Sequence, residues 1–187
     1  MTRGTLVDVG CGSGRLWHYV GQNVLRYVGI DAVKYDGFPD TAEFIQANLD
    51  HGPWPLAESA ADVATAVEVI EHLENPRAFM RQLVSLTKPG GLVIVTTPNQ
   101  LSFLSLTTLI FKQRFSAFQD VHYPAHLTAL LEIDLIRIAS ECGLANLRII
   151  YSCQGRIIIS PWHYPSVVSR LLPRRLSDNL MLIGTRS

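Results

Sequence analysis

Short apolar runs recur along the chain, separated by mixed stretches. Leu6 to Val9, Tyr27 to Ile30, Glu43 to Ala47, Asp62 to Val67 and Leu92 to Thr96 are brief and rich in β-branched residues. Most are apolar at consecutive positions rather than alternate ones, which predicts strands buried on both faces of a parallel sheet. Between them, Arg15 to Val20 and Pro76 to about Thr87 have helical character. Ser13 is placed to cap the first, Pro76 suits the opening turn of the second, and Pro89-Gly90-Gly91 breaks it. Residues 32 to 42, with Gly37, Pro39 and Asp40, read as loop. His122 to Thr128 leads into a further helix, with His126 at its start, that runs to about Cys142. Its residues Leu131, Leu135, Ile138 and Ala139 fall at helical spacing, and Gly143 ends it. Leu147 to Tyr151 and Asn179 to Thr185 supply the last strands.

Strands alternating with helices predict an α/β fold on a mainly parallel sheet. Two stretches break the alternation, at about 101–121 and 154–177. Within the first, residues 101 to 118 hold ten apolar side chains, and Lys112 and Arg114 are the only charges. The second is apolar, aromatic and basic. No internal repeat or low-complexity segment appears.

At 187 residues the chain is expected to form a single domain, residues 1–187, around one core. Hydrophobic residues make up 48% and charged residues 17%, with 16 Lys+Arg against 16 Asp+Glu. A balanced charge offers no footprint for nucleic acid. After Tyr151, however, five arginines face one acid, Asp178. The three cysteines at 11, 142 and 153 form no C-x-x-C pair, which fits a reducing, cytoplasmic setting. There is no signal-like leader and no apolar run long enough to span a bilayer, so the expectation is a soluble or peripheral protein.

The chemistry is concentrated in Leu-Val-Asp-Val-Gly-Cys-Gly-Ser-Gly, residues 6 to 14. A buried strand running into glycines at 10, 12 and 14 suits close approach of a nucleotide-type ligand to the backbone. A dinucleotide fingerprint wants its third glycine five residues after the first. That position is Arg15. Asp8 would repel a pyrophosphate and attract an ammonium group, so the ligand should be cationic where it meets this turn. Asp31 ends the second strand 21 residues after Gly10, where an acid accepts hydrogen bonds from ribose hydroxyls.

Aspartate followed by alternating glycines resembles the first motif of class I S-adenosylmethionine-dependent methyltransferases. "EVIEHLENP" after the fourth strand and "KPGGLVIVTTPN" around the fifth resemble one branch of that family. It includes ubiquinone-pathway O-methyltransferases and polysaccharide-cluster methyltransferases. The resemblance implies a Rossmann-like fold: a mainly parallel seven-stranded sheet with an antiparallel hairpin at its edge and helices on both faces. It implies S-adenosyl-L-methionine as cofactor, with Asp8 near the methionine amino group and the backbone of Gly10, Cys11, Gly12 and Gly14 against the ligand. Asp31 would meet the ribose, Asn48 and Leu49 the adenine with Asp50 as runner-up, and Ala32, Val67 and Glu68 would also contact the cofactor. Asn48 stands where the family commonly has an acid. Relatives also carry helices ahead of the first strand that cover the cofactor, and Met1 lies too close to the strand for them here; a partner, a dimer mate or a later segment would take that role.

Methyl transfer mainly requires two partners held at attack distance with water kept out. An oxygen nucleophile can also need a base, and His126, His72 and His122 are the candidates near the crevice. Glu68, Glu71 and His72 form an E-x-x-E-H array similar to that of metal-using O-methyltransferases, and suit Mg²⁺ or Mn²⁺ with His122 or His126 completing the set. The other reading gives His72 a structural or substrate-orienting role. The expected reaction is O-methylation of a glycan, lipid-linked or small hydroxylated acceptor. The two inserts would either close as a lid buried by homodimerisation or lie on an anionic membrane as a peripheral contact. Trp54, Trp162 and Tyr164 read as core or lid packing rather than sugar stacking. Two other classes are a catalytically silent cofactor-binding subunit and a nucleotide-dependent oxidoreductase, the latter disfavoured by Arg15 and Asp8.

Overall fold

A computed structural model describes residues 4–158 and 160–187. Its strands are β1 Thr5–Val9, β2 Arg26–Asp31, β3 Glu43–Gln46, β4 Ala61–Val67, β5 Thr87–Pro98, β6 Leu144–Tyr151 and β7 Asn179–Arg186. The helices are α1 Trp17–Val20, α2 Pro76–Leu86, α3 Phe103–Lys112, α4 Glu132–Glu141 and α5 Ser166–Leu171. The strands form one sheet in the order β3-β2-β1-β4-β5-β7-β6. β1 to β5 run parallel, β7 lies antiparallel beside β5, and β6 pairs antiparallel with β7 at the edge. This is the doubly wound sheet with a terminal antiparallel hairpin that the strand pattern and the resemblance predict.

Strand order reverses between β1 and β4. Ligands of open α/β sheets bind outside the carboxyl ends of strands at such a point. The glycine turn after β1 and the E-x-x-E-H stretch after β4 both leave the sheet there.

The main core holds the consecutive apolar positions of the central strands, Val7, Val9, Val28, Ile30, Ala64, Ala66, Val93 and Val95. α2 covers it with Phe79, Met80, Leu83, Val84 and Leu86. Asn75 caps this helix by accepting the Ala78 N–H at 3.0 Å, and Pro76 occupies its first turn. α4 adds Leu135, Ile138 and Ala139. Leu6, Cys11, Tyr27 and Phe38 form a smaller cluster on the other side.

The expected boundaries shift at three places. Ser13 does not cap α1. The turn closes through backbone bonds instead, Gly14 N–H to the Cys11 carbonyl at 2.9 Å and Trp17 N–H to the Gly14 carbonyl at 3.0 Å. β5 starts at Thr87, ahead of the expected Leu92, because Pro89-Gly90-Gly91 forms an irregularity within the strand opposite Asp62. The helix expected to begin at His126 begins at Glu132. Leu127 and Thr128 both donate their N–H groups to the Glu71 carbonyl, at 2.9 and 3.0 Å, and Thr128 Oγ1 donates to the Leu73 carbonyl at 2.9 Å. With its donors engaged there, this segment gains nothing from helix. The helix starts only where the Asp134 carboxylate reaches back to the Leu131 N–H, 3.1 Å away.

The first insert contains α3 and the second contains α5. They are tied to each other and to the sheet. Asn99 Nδ2 donates to the carbonyls of Arg174 and Ser177, at 2.8 and 2.9 Å. The Phe103 N–H donates to the Arg175 carbonyl at 2.8 Å. Among the described residues, no helix is long and apolar enough to cross a membrane.

Candidate functional site

The turn after β1 brings three backbone groups under tight control. Gly10 has φ +74° and donates its N–H to the Ile30 carbonyl at 2.7 Å. A Cβ on Gly10 would sit 2.3 Å from Val69 Cγ2, so only glycine lets the turn pack on the segment after β4. Gly12 has φ +53° and nothing within 4 Å of where a Cβ would lie, so its open side faces the cleft. Its N–H donates to Asp31 Oδ2 at 2.8 Å, while Asp31 Oδ1 accepts the Ala32 N–H at 2.7 Å. Each carboxylate oxygen keeps a lone pair for a diol. The cleft, about 370 Å³, is lined by Asp8, Gly10, Cys11, Gly12, Ser13, Arg15, Leu16, Tyr19 and Val67.

Asp8 is 3% exposed. The Tyr27 hydroxyl donates to its Oδ2, and Thr65 Oγ1 donates to its Oδ1 at 3.0 Å. Burial outweighs these donors and pushes the carboxyl up to about 6. The anion is therefore held in place but under-neutralised, which suits a cationic ligand group. Tyr27 and Thr65 lie outside the motif that marks Asp8 in the sequence. Thr65 carried a faint signal, a polar residue in a buried strand that register sets beside Asp8.

Other expected contacts fall elsewhere. Gly14 supports the loop rather than the cleft, since a Cβ there would meet Pro39 Cδ at 2.5 Å. Asn48 and Leu49, like Asp31, Ala32 and Glu68, are not among the residues that wall this cavity. Asn48 Oδ1 accepts the Asp50 N–H at 2.9 Å in a local turn, and Leu49 packs against the main core. Asp50 is engaged too, its Oδ1 accepting the Glu74 N–H at 2.8 Å.

The segment after β4 joins the cleft to a second centre. Val67 forms a cleft wall and Val69 packs beneath Gly10. Glu71 and His72 then turn toward the loop that carries His126. One donor atom each from Glu71, His72 and His126 lie within 4.8 Å of one another. The Ala125 carbonyl, 2.8 Å from His72 Nδ1, requires the proton on that nitrogen and leaves Nε2 to face Glu71 Oε1 at 3.9 Å. Glu71 is 1% exposed; its Oε2 accepts from Thr97 Oγ1 at 3.1 Å. Its Oε1 and His126 Nδ1 are both buried without a hydrogen-bond partner. Burial, reinforced by the charge of Glu68, pushes the Glu71 carboxyl up to about 7, and burial lowers His126. Two orphaned acceptors beside an oriented imidazole fit a cation, which would neutralise all three.

Glu68 and His122 stand apart from this trio. Thr96 Oγ1 donates to Glu68 Oε1 at 2.7 Å and accepts the Glu68 N–H at 3.0 Å, turning the carboxylate toward β5. His122 stacks on His126 with ring centres 5.3 Å apart, and its Nδ1 accepts the Gln119 N–H at 3.2 Å.

A family model described as a methyltransferase domain matches residues 2–149. The ubiquinone biosynthesis O-methyltransferase of Caulobacter vibrioides is 36% identical over 104 residues, which cover 51% of this chain and 41% of that protein. The chain spans less than half the length of the curated relatives it matches. In fold, it superposes on a SAM-dependent methyltransferase from Archaeoglobus fulgidus with a TM-score of 0.72 at 15% identity. That match covers 99% of this chain and 87% of the other. A possible histamine N-methyltransferase from Thermotoga maritima gives a TM-score of 0.71 at 17% identity, covering 99% and 82%. With the glycine turn, the acid after β2 and the sheet order all in place, the chain belongs to the methyltransferase domain family and has the fold of class I S-adenosylmethionine-dependent methyltransferases.

Proposed function

We propose that the protein transfers the methyl group of S-adenosylmethionine to an oxygen of a hydroxylated acceptor. The observation that carries this reading is the placement of the Glu71–His72–His126 trio at the end of the segment that also walls the cofactor cleft. Asp8 holds the ammonium end of the cofactor, Asp31 the ribose diol, and the Gly10 to Gly12 backbone lets the ligand lie close. When bound, the cofactor supplies the electrophilic methyl carbon, and a divalent cation lowers the pKa of an acceptor hydroxyl. Glu71, His72 and His126 would hold that cation, with the Ala125 carbonyl fixing the His72 tautomer. His122 orients His126 by stacking. The relatives named for O-methylation in ubiquinone biosynthesis support oxygen as the methylated atom.

A radiolabelled methyl-transfer screen over glycan, lipid-linked and small hydroxylated acceptors, with and without Mn²⁺, tests the reading. Cation-stimulated label in an alkali-stable ether is the expected result. Absence of transfer from a chain that binds S-adenosylhomocysteine would instead favour a silent cofactor-binding subunit.

A further inference from the structure

The Asp8 carboxylate has two hydroxyl donors, and strand register decides which of them serves it alone. In the β1–β2 pairing Leu6 lies opposite Tyr27 and Asp8 opposite Gly29. Positions two apart on a strand share a face, so Tyr27 is the diagonal neighbour of Asp8. Gly29 puts no side chain opposite the carboxylate. Cys11 and Phe38 take that space instead, since a Cβ on Gly29 would lie 2.7 Å from Cys11 Sγ and from the Phe38 ring. Tyr27 packs with Leu6, Cys11 and Phe38, is 4% exposed, and reaches along the strand face to donate to Asp8 Oδ2.

Thr65, which pairs with Asp8 from β4, is a divided donor. Its Oγ1 lies 3.0 Å from Asp8 Oδ1 and 3.4 Å from the Val7 carbonyl, with one proton for both. Among the described residues, Asp8 is the only acceptor of the Tyr27 hydroxyl. Burial and the charge of Asp8 push Tyr27 well above the usual phenol range, so it remains a donor across neutral pH. The other groups nearby do little for the anion. Asp31, at the end of β2, adds like charge. The Cys11 thiol in the glycine turn is pushed up to about 12 and stays neutral. Arg15 and Tyr19 line the same cleft, and neither is a hydrogen-bond partner of Asp8 among the described residues.

We propose that Tyr27 is a positioning residue for the cofactor's ammonium end: its hydroxyl keeps the Asp8 carboxylate ionised and aimed into the cleft. Tyr27 is not a wall of that cleft, so it acts on the cofactor through Asp8. The proposal rests on the reading above in which Asp8 meets the ammonium group. A hydrogen bond donated to the anion favours the ionised form, so removing it raises the Asp8 pKa. Once Asp8 is ionised, the bond is present with and without ligand and cancels from the affinity. Loss of the hydroxyl therefore weakens binding only where Asp8 begins to protonate. A tyrosine that merely filled space would weaken binding equally at every pH.

Calorimetry of S-adenosylhomocysteine binding to the wild type, Tyr27→Phe and Thr65→Val between pH 5 and 8 tests this. The control ligand is 5′-methylthioadenosine, the same nucleoside without the amino-acid end. Tyr27→Phe should move the midpoint of the pH profile upward by about one unit, a loss of about fivefold at pH 6 and less than about twofold at pH 8. Thr65→Val should move it less, because its proton is shared. Both variants should keep the wild-type affinity for methylthioadenosine within about twofold at every pH, since that ligand brings no ammonium group. A loss in Tyr27→Phe that is uniform with pH or extends to methylthioadenosine, or a midpoint that does not move, overturns the proposal. The wild type supplies a check that needs no variant: the ¹³Cζ resonance of Tyr27 should titrate together with Asp8, near pH 6, and a flat response overturns it as well. Wild-type affinity for S-adenosylhomocysteine that stays constant from pH 8 to 5 sinks the assignment of Asp8 to the ammonium group itself, a result distinct from any outcome for Tyr27→Phe.

Discussion

Asp8 illustrates how much one residue's role depends on neighbours far away in sequence. Its carboxylate is buried, satisfied by Tyr27 and Thr65, and still pushed up to about 6. A cationic ligand group needs the ionised form. Protonation therefore competes with binding, and S-adenosylmethionine affinity should fall as pH drops below about 6, by up to tenfold per unit. Calorimetry between pH 5 and 8 checks this. Asp8→Asn keeps the shape and removes the charge, and should weaken binding by roughly 30- to 100-fold at pH 7.5, the value of one charge-assisted buried interaction. Unchanged affinity in the folded variant would overturn the cofactor assignment. The trio gives a parallel test. Mn²⁺ titrated into the protein with S-adenosylhomocysteine present should release or absorb heat, and Glu71→Gln or His126→Ala should abolish it. Asp8, Gly10, Gly12 and Asp31 were legible in the sequence because their roles follow from local spacing. Tyr27 and Thr65 required strand register.

Among the elements, α2 is the most fully specified by its own residues: an Asn cap, a first-turn proline and an apolar face. Leu83 at its centre is fully buried. Leu83→Ala should destabilise the protein by about 2–5 kcal/mol, the transfer loss plus a cavity, read from urea unfolding. Asn75→Ala should cost about 1 kcal/mol by the same measurement. The segment from Glu68 to His72 shows the opposite case. Its residues look like one array in sequence, yet Thr96 draws Glu68 toward β5 while Glu71 faces Thr97 and the His126 loop. Which members of E-x-x-E-H act together was a matter of side-chain direction, which spacing alone leaves open. The misplaced start of α4 has the same origin, because Leu127 and Thr128 found hydrogen-bond partners in a turn more than fifty residues earlier.

The two inserts set the character of the molecule's surface. Ile110, Phe111, Trp162, Val167 and Leu171 are each more than two-thirds exposed. Lys112 and Arg170 lie on the same helices. The basic excess read from the sequence after Tyr151 is smaller in the fold, since Arg156 pairs with Asp178 and Arg174 with Glu132. Apolar tips flanked by cations fit an anionic bilayer. The protein should sediment with phosphatidylglycerol-containing vesicles, and Phe111→Asp together with Trp162→Asp should leave it in the supernatant. A wild-type protein that stays in the supernatant and elutes as a dimer would show the inserts packed between two copies instead.

The amino-acid order alone determined the strand and helix sequence, the α/β class, the glycine turn and the two acids that flank it. Those features depend on short-range periodicity and on the conformational freedom of single residues. The tertiary structure decided the partners of Asp8, the meeting of Glu71, His72 and His126, and the separation of Glu68 from them. It also brought Val67, Thr96, Met181 and Ile150 into one row across four strands. Each of these is a contact between segments distant in the chain, created when strands settle into register and loops surrender their hydrogen bonds to remote carbonyls, and no local pattern encodes it.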